Sequence, residues 1–292
     1  MTLLERVHQE VIERLGNVSV TARQAVESVL AGQHRSVRRG LSVEFAGHRE
    51  YQPGDDLRHL DWLVYARSDR YDIRQYEEET KLRATIILDT SGSMGYASGR
   101  QSKLAYAQAL TAALGFLMIR QSDAVGLVAC DTAVRHFIPP GSTMAHFLNV
   151  LAALEKTAPG NETSLAPVLE EIAGRLHRRG LVILITDTFD DPKALLKAIQ
   201  YLRYRKQEVR LFQILDAQEQ SFPFQGMIEF IGLEQEPRLK LDGDRVRAHY
   251  RRVFQEHQQR LQSGCHACGV QMETCWTQEE LFTVLIRALT WQ

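Results

Sequence analysis

The sequence predicts an α/β fold in which a mostly parallel β-sheet is covered by helices on both faces and preceded by an N-terminal arm. From residue 82 onward, short apolar runs alternate with longer segments of helical periodicity, which is typical of such sheets. A loop of carboxylate and hydroxyl residues follows the first apolar run, at the position where α/β sheets usually bind ligands. The charged stretch Gln33–Arg83 lacks this periodicity and is interpreted as the arm.

The apolar runs predict six strands and the periodic segments predict six helices of the main domain. The strands are Leu82–Leu88, Ala124–Cys130, Val134–Ile138, Leu181–Ile185, Val209–Leu215 and Val270–Cys275. The helices are Ser102–Arg120, Thr143–Leu154, Leu165–Arg178, Pro192–Arg205, Arg247–Ser263 and Gln278–Leu289. Asp191-Pro192 predicts a capped helix start, Thr277 with Glu280 predicts a capping box, and Gly264 is predicted to end the preceding helix.

These patterns divide the chain at residue 80. Residues 1–80 are predicted to form a short helix, Thr2–Leu15, and the charged arm packed on the core. Residues 81–292 form the α/β domain. Its alternation is broken at residues 222–246, where Asp242-Gly243 predicts the turn of a small inserted hairpin.

Composition excludes several classes of protein. The 292 residues are 44% hydrophobic, which is enough for one large core. Lys and Arg total 35 against 36 for Asp and Glu, so no overall field attracts nucleic acid. The start of the chain lacks the order of a secretory signal, and the stretch Leu104–Ile119 is interrupted by Gln108 and fits a core helix better than a membrane span. We expect a soluble cytoplasmic protein.

Hydroxyl and carboxylate residues lie in three loops next to predicted strands or helices. Asp89, Ser91 and Ser93 follow the first strand, Thr163 precedes a helix, and Asp187 follows the strand Leu181–Ile185. Their oxygens are hard donors that suit Mg²⁺, Mn²⁺ or Ca²⁺ better than Zn²⁺. The sequence therefore predicts a divalent metal site at one edge of the sheet.

This arrangement resembles the metal-ion-dependent adhesion site (MIDAS) of the von Willebrand factor A-type domain, a Rossmann-like fold. The motif of that family is Asp-x-Ser-x-Ser, then a Thr, then an Asp. The site residues that the resemblance implies are Asp89, Ser91, Ser93, Thr163 and Asp187. It also implies an open position on the metal, which a Glu or Asp of another protein completes. Thr188 departs from the family, which commonly has Gly there, and the role of Asp190 stays open.

The arm carries a second resemblance. The phrases His34-Arg35-Ser36, Arg39–Phe45, Arg49–Arg58 and Leu60–Trp62 resemble the leader of the domain of unknown function family 58. Members of that family are typically associated with MoxR-type AAA+ ATPases, which implies an adaptor or co-chaperone that binds such an ATPase or its client. The candidate partner-binding residues of the arm are Arg49, Asp55, Asp56, Arg58, Asp61 and Arg67. Ion pairing within the arm is the alternative interpretation of these charges.

A metal-dependent hydrolase is the rival function. Its candidate residues are His34, His48, His59, Asp55, Asp56 and Asp61, but no pair has the His-Glu-x-x-His spacing. A phosphatase that used Asp89 as nucleophile would have an acid at position 91, where this chain has Ser91. We therefore expect a non-catalytic protein-binding module.

The four cysteines are too few for a disulfide framework in a chain of this length. Cys265 and Cys268, with Cys275, form an incomplete pattern for a zinc or redox site. We interpret Cys265 and Cys268 as incidental thiols in a loop. Cys130 and Cys275 lie on apolar strands and are predicted to be core residues.

Overall fold

The structure, a computed structural model, describes residues 44–52, 60–68, 70–77, 82–99, 101–160, 164–177, 179–234 and 238–289. The chain divides into two units, one of residues 27–81 and one that contains residues 82–292. The predicted helix Thr2–Leu15 lies outside the described residues. Within the described ranges, every helix is either too short or too polar to traverse a lipid bilayer.

In the first unit, the described residues form a two-stranded antiparallel sheet and a helix, which the sequence patterns did not predict. Strand β1 (Glu44–Glu50) pairs antiparallel with β2 (Asp72–Glu77). Helix α1 (Trp62–Ser68) lies between them in the chain. Asp61 precedes this helix and accepts a hydrogen bond from the Val64 N–H at 3.3 Å, as an N-cap residue does.

The second unit contains a six-stranded sheet. Its strands are β3 (Arg83–Asp89), β4 (Ala124–Cys130), β5 (Val134–Gly141), β6 (Gly180–Thr186), β7 (Gln207–Leu215) and β10 (Gln271–Trp276). Their order across the sheet is β10-β7-β6-β3-β4-β5, and all neighbours are parallel except β4 and β5. The predicted mostly parallel sheet is confirmed.

Helices cover both faces of this sheet, as predicted. The helices of the unit are α2 (Lys103–Arg120), α3 (Met144–Lys156), α4 (Leu165–Arg175), α5 (Pro192–Tyr204), α6 (Ala217–Ser221), α7 (Gly243–Ala267) and α8 (Leu281–Leu289). Successive residues of a strand point to opposite faces. Ile86 and Leu88 therefore pack with α2, α3 and α8, whereas Ile87 packs with α4, α5 and α7. Burial on both faces explains why the central strands β3, β4 and β6 are almost entirely apolar.

The insertion at residues 222–246 contains the predicted hairpin but not the predicted turn. Strands β8 (Met227–Phe230) and β9 (Leu239–Asp242) pair antiparallel, so the connection between them lies at residues 231–238. Asp242 instead caps α7, because its side chain accepts from the Asp244 N–H at 3.1 Å. The helix consequently starts at Gly243, four residues before the predicted start.

The predicted end of α7 and the predicted cap of α8 are also wrong. Gly264 lies inside α7, and a Cβ atom there would lie 2.3 Å from Leu196 Cδ1. Its small size therefore serves the close packing of α7 on α5, and the helix continues to Ala267. Thr277 does not cap α8, which begins at Leu281. Its hydroxyl donates to Asp216 Oδ2 at 3.0 Å instead.

Candidate metal centre

The candidate centre lies where the strand order changes direction. From β3 the chain first adds β4 on one side and later returns to place β6 on the other. The loops that leave the carboxyl ends of β3 and β6 therefore diverge over opposite faces, and α/β folds bind ligands in the crevice between such loops. Asp89 ends β3, and Asp187 directly follows β6.

The first loop places a carboxylate beside two hydroxyl groups. Asp89 Oδ1 accepts from the Ser91 N–H at 2.9 Å, which closes the turn after β3. The Ser91 and Ser93 hydroxyl oxygens are 3.1 Å apart. A short 3₁₀ turn, Gly92–Gly95, then leads the chain away from the sheet edge. The three predicted residues of this loop are thus brought together.

The loop after β6 converges on the same carboxylate. The Thr186 hydroxyl donates to Asp89 Oδ2 at 2.6 Å, although the two residues are 97 positions apart. Asp187, the next residue, is fully buried, and its Oδ1 accepts from the Phe189 N–H at 3.2 Å. The charge of Asp187 raises the pKa of Asp89, so the two predicted acids interact directly through their charges.

Thr163 lies outside the described residues, and its place in the site stays a prediction. The chain on both sides of it is attached to the other loops. The Gly160 N–H donates to Thr90 O at 2.6 Å, and the Leu165 N–H donates to Asp190 Oδ2 at 2.9 Å. The second bond makes Asp190 a partner of the first residue of α4.

Sequence reasoning missed Lys103, which neutralises part of this charge, and Glu219, a further acid that shares its ammonium. The Lys103 ammonium lies 2.8 Å from Asp187 Oδ2 and 2.6 Å from Glu219 Oε1, and its side chain is fully buried. Burial alone lowers the pKa of Lys103, but the charges of Asp187 and Glu219 and their hydrogen bonds raise it above its ordinary value. A signal was present in the sequence, because a lysine in the first turn of a helix is opposed by the helix dipole.

Negative charge still exceeds positive charge among the described acids and cations of the site. Asp187 and Glu219 share the ammonium of Lys103, and the buried Asp89 interacts with Asp187 through its charge. Burial, and then the charge of Asp187, raises the pKa of Asp89 to about 7, against the lowering effect of hydrogen bonds from Thr186 and Ser91. Burial likewise raises the pKa of Glu219 despite its contact with Lys103. A hard divalent cation would relieve this excess, so the residues present fit the ion that the MIDAS resemblance implies.

Thr188, the departure from the MIDAS pattern, adopts the conformation for which glycine is usual. Its φ is +62°, where a β-branched residue is rare. Its hydroxyl donates to Asp187 O and accepts from Gln213 Nε2, both at 2.6 Å. The Thr188 carbonyl accepts from His257 Nε2 at 2.9 Å. These bonds hold the threonine in place and keep the loop after β6 in the required shape.

The candidate residues of the arm are not brought together within the described residues. Asp55, Asp56 and Arg58 lie outside those residues, and of Arg49 only the backbone, in β1, is described. Asp61 is only 6% exposed, whereas Arg67 is exposed. Of the remaining residues of the rival hydrolase, His34 and His59 also lie outside, and His48 is described by its backbone alone.

The cysteine pattern is helical and not part of a loop. Cys265 lies in the last turn of α7 and Cys268 follows its end, so the predicted loop is wrong because α7 continues through Gly264. Burial raises the pKa of Cys265 to about 11. Cys130 and Cys275 are fully buried, as predicted. Across the described ranges, no cluster of three or more His, Cys, Asp and Glu side chains has the arrangement of a metal site, so the candidate centre depends on its hydroxyl groups.

Comparison with known proteins agrees with this fold. An uncharacterized protein of Mycobacterium tuberculosis is 27% identical over 212 residues, which cover 72% of this chain and 66% of the relative. The chain thus spans just under two thirds of the length of the curated relatives it matches. A further relative with the same values is an uncharacterized protein of Mycobacterium bovis.

Two solved structures extend the comparison. An aerotolerance-related membrane protein of Bacteroides fragilis is 14% identical, with a TM-score of 0.51, and the match covers 71% of this chain and 96% of that one. The VWA domain of SpRpn10 is 11% identical, with a TM-score of 0.42 and coverage of 71% and 95%. The first similarity shows the fold alone, and with the observed strand order it confirms the von Willebrand A-like fold. Residues 47–260 match the family described as Protein of unknown function DUF58, and the chain therefore belongs to that family.

Proposed function

We propose that this chain is a non-catalytic protein-binding module whose binding depends on a divalent cation. The cation is Mg²⁺, Mn²⁺ or Ca²⁺, held by Asp89, Ser91, Ser93, Thr163 and Asp187. The observation that carries the proposal is the buried pair Asp89 and Asp187 beside two hydroxyls, with more carboxylates than cations around it. Isolated buried charges of this kind are costly and are usually paired or bound to metal.

The donor set favours binding over hydrolysis. Neutral hydroxyls leave the charge of a divalent cation incompletely balanced, so a carboxylate from another protein completes its coordination. The cation supplies only this electrostatic attraction. Ser91 and Ser93 would hold it through their oxygens, and Asp187 is kept in place by the Phe189 N–H of its own loop and by the ammonium of Lys103 in α2.

We propose further that the partner is a MoxR-type AAA+ ATPase or its client. Membership of the DUF58 family supports this partner through the association that the sequence resemblance implies. Arg49, Asp55, Asp56, Arg58, Asp61 and Arg67 of the arm are proposed as a second contact surface. The exposed position of Arg67 supports such a role for that residue, whereas Asp61 is nearly buried.

Metal titration tests the centre directly. We expect Mn²⁺ or Mg²⁺ to bind the full chain with one site by calorimetry, and Asp89→Ala or Ser91→Ala to abolish binding. Thr132→Ala is the matched control, because Thr132 carries an exposed hydroxyl at the same edge of the sheet. Equal binding by all four proteins, each checked for folding by circular dichroism, would show that these residues hold no metal.

Partner capture tests the function that follows. Tagged protein incubated with a purified MoxR-type ATPase should retain it in Mg²⁺ and release it in EDTA. Capture that is unchanged by EDTA and by Asp89→Ala would reject a metal-dependent contact. Turnover of phosphate or carboxylate esters that is lost in Asp61→Ala would instead support the hydrolase.

A further inference from the structure

Glu234, in the connection between β8 and β9, places its carboxylate on the first loop of the site. The Ser93 N–H donates to Glu234 Oε1 at 3.1 Å, across 141 positions of sequence. Ser93 is one of the proposed metal-binding residues. An acid of this chain therefore lies against the loop where the proposed function expects the acid of a partner.

The backbone of the same segment also lies on the loop. A Cβ atom at Gly92 would lie 2.5 Å from Leu233 O and 2.9 Å from Glu234 Cγ. Gly92 is not among the residues with positive φ, so glycine is required here for space and not for backbone conformation. The Gly92–Ser93 segment and the Leu233–Glu234 segment are thus in direct contact.

This contact lies beside residues of the site that are fully buried. Asp89, Ser91 and Asp187 are each 0% exposed, whereas the A-type resemblance implies a metal position that is open to solvent. The segment that makes this contact, residues 231–234, is called the covering segment. It is weakly buried, since Ile231 and Leu233 are 61% and 51% exposed. Segments with few buried apolar contacts open at low cost, so this cover can move without disturbing the core.

We propose, on the basis of the proposed function, that Glu234 is an internal acidic ligand of the metal centre, which an acid of a partner has to displace. Because Glu234 carries a negative charge, the strength of its contact with the first loop should depend on whether a cation is bound. Without a cation, a further carboxylate is repelled by Asp89 and Asp187, whereas a divalent ion attracts it. Bound metal therefore tightens the cover, and a partner competes with Glu234 for the same position.

Mn²⁺ binding tests the inference on the full chain, with calorimetry for affinity and water-proton relaxation for the number of bound waters. Glu234→Ala is expected to weaken Mn²⁺ binding by about tenfold, because ligand charge sets the affinity of such sites. It is also expected to raise relaxation, because a water takes the vacated position. Gly92→Ala should change both values in the same direction, since its Cβ pushes the covering segment away.

Glu229→Ala is the matched control, because it removes an exposed carboxylate from the same insertion and should behave as the wild type. Unchanged affinity and relaxation in Glu234→Ala, with binding lost in Asp89→Ala, would overturn the inference and leave the proposed function intact. Unchanged binding in Asp89→Ala would overturn both.

Discussion

Replacing Asp89 by asparagine is expected to stabilise the metal-free protein at pH 8. The Asp89 carboxylate is 0% exposed, and burial together with the charge of Asp187 raises its pKa from 3.8 to about 7. Asparagine keeps the shape of the side chain and an oxygen that accepts from the Ser91 N–H. It removes the charge that the folded state accommodates poorly.

The magnitude follows from the difference between the two pKa values. Each pKa unit corresponds to about 1.4 kcal/mol, so the interval from 3.8 to about 7 amounts to about 4 kcal/mol at pH 8. The bond from the Thr186 hydroxyl to Oδ2 has to rearrange in the variant, at a cost of about 1 kcal/mol. The expected net gain in the free energy of unfolding is about 2–4 kcal/mol.

The sign of the pH dependence is fixed by the direction of the pKa change. Between pH 3.8 and about 7, the folded state keeps a proton that the unfolded state has lost. The stability that Asp89 contributes is therefore complete below pH 3.8 and is lost as pH rises through about 7. The advantage of the asparagine variant should be largest at pH 8 and fall to less than about half of that value at pH 5.

Urea unfolding followed by tryptophan fluorescence, at pH 8 and pH 5 in EDTA, measures both values. Asp131→Asn is the matched control: Asp131 is a buried acid at the end of β4, but its two oxygens accept from Arg135 Nε at 2.8 and 2.9 Å. This control should lose stability. If the asparagine variant at position 89 is equal or inferior to the wild type at pH 8, the carboxylate is compensated and the argument for a cation site fails.

Three further predictions address packing, charge and thiol chemistry. Lys103→Met leaves the buried Asp187 and the partly buried Glu219 without their ammonium and should destabilise the metal-free protein by about 3–5 kcal/mol in urea unfolding. Gly264→Ala should lower the free energy of unfolding by about 1–3 kcal/mol, since the new methyl group collides with Leu196. At pH 8, a thiol reagent such as DTNB should react rapidly with Cys268 alone, because burial raises the pKa of Cys130, Cys265 and Cys275.

Each of these predictions has a control in the same chain. Lys193→Met removes an exposed lysine from the first turn of α5 and should change stability by less than about 0.5 kcal/mol. Gly174→Ala, within α4 and with no atom near the new methyl group, should stabilise by about 0.5–1 kcal/mol. Cys268→Ser should remove the rapid thiol reaction. An equal response of variant and control would contradict the corresponding argument.

Local pattern was enough to predict the sheet. The run Ala84–Leu88 is apolar except for Thr85 because it is buried on both faces, and such a run predicts a central parallel strand without any tertiary information. Asp191-Pro192 was likewise confirmed, since the Asp191 side chain accepts from the Lys193 and Ala194 N–H groups. Caps of this kind involve neighbours in sequence, and sequence reasoning is strongest there.

Two predictions failed because a residue had a partner far along the chain. Glycine is a residue type typical of helix ends, but at position 264 it is needed because Leu196 leaves no space for a side chain. Threonine is a residue type typical of helix N-caps, but the Thr277 hydroxyl donates a hydrogen bond to Asp216, 61 positions away. A short sequence pattern contains no information about such partners. The rules for helix ends and caps therefore gave the wrong result for residues whose role is set by tertiary contacts.

The sequence by itself determined the order of the six strands and of the main helices of the α/β domain, and the residue types at the edge of its sheet, because periodicity and strand-end position are local properties. Only the tertiary structure decided which charged side chains meet at that edge of the sheet. Lys103 meets Asp187 across 84 positions and Ser93 meets Glu234 across 141. Electrostatic interactions depend on distance in space and on burial, and the folded chain alone sets both.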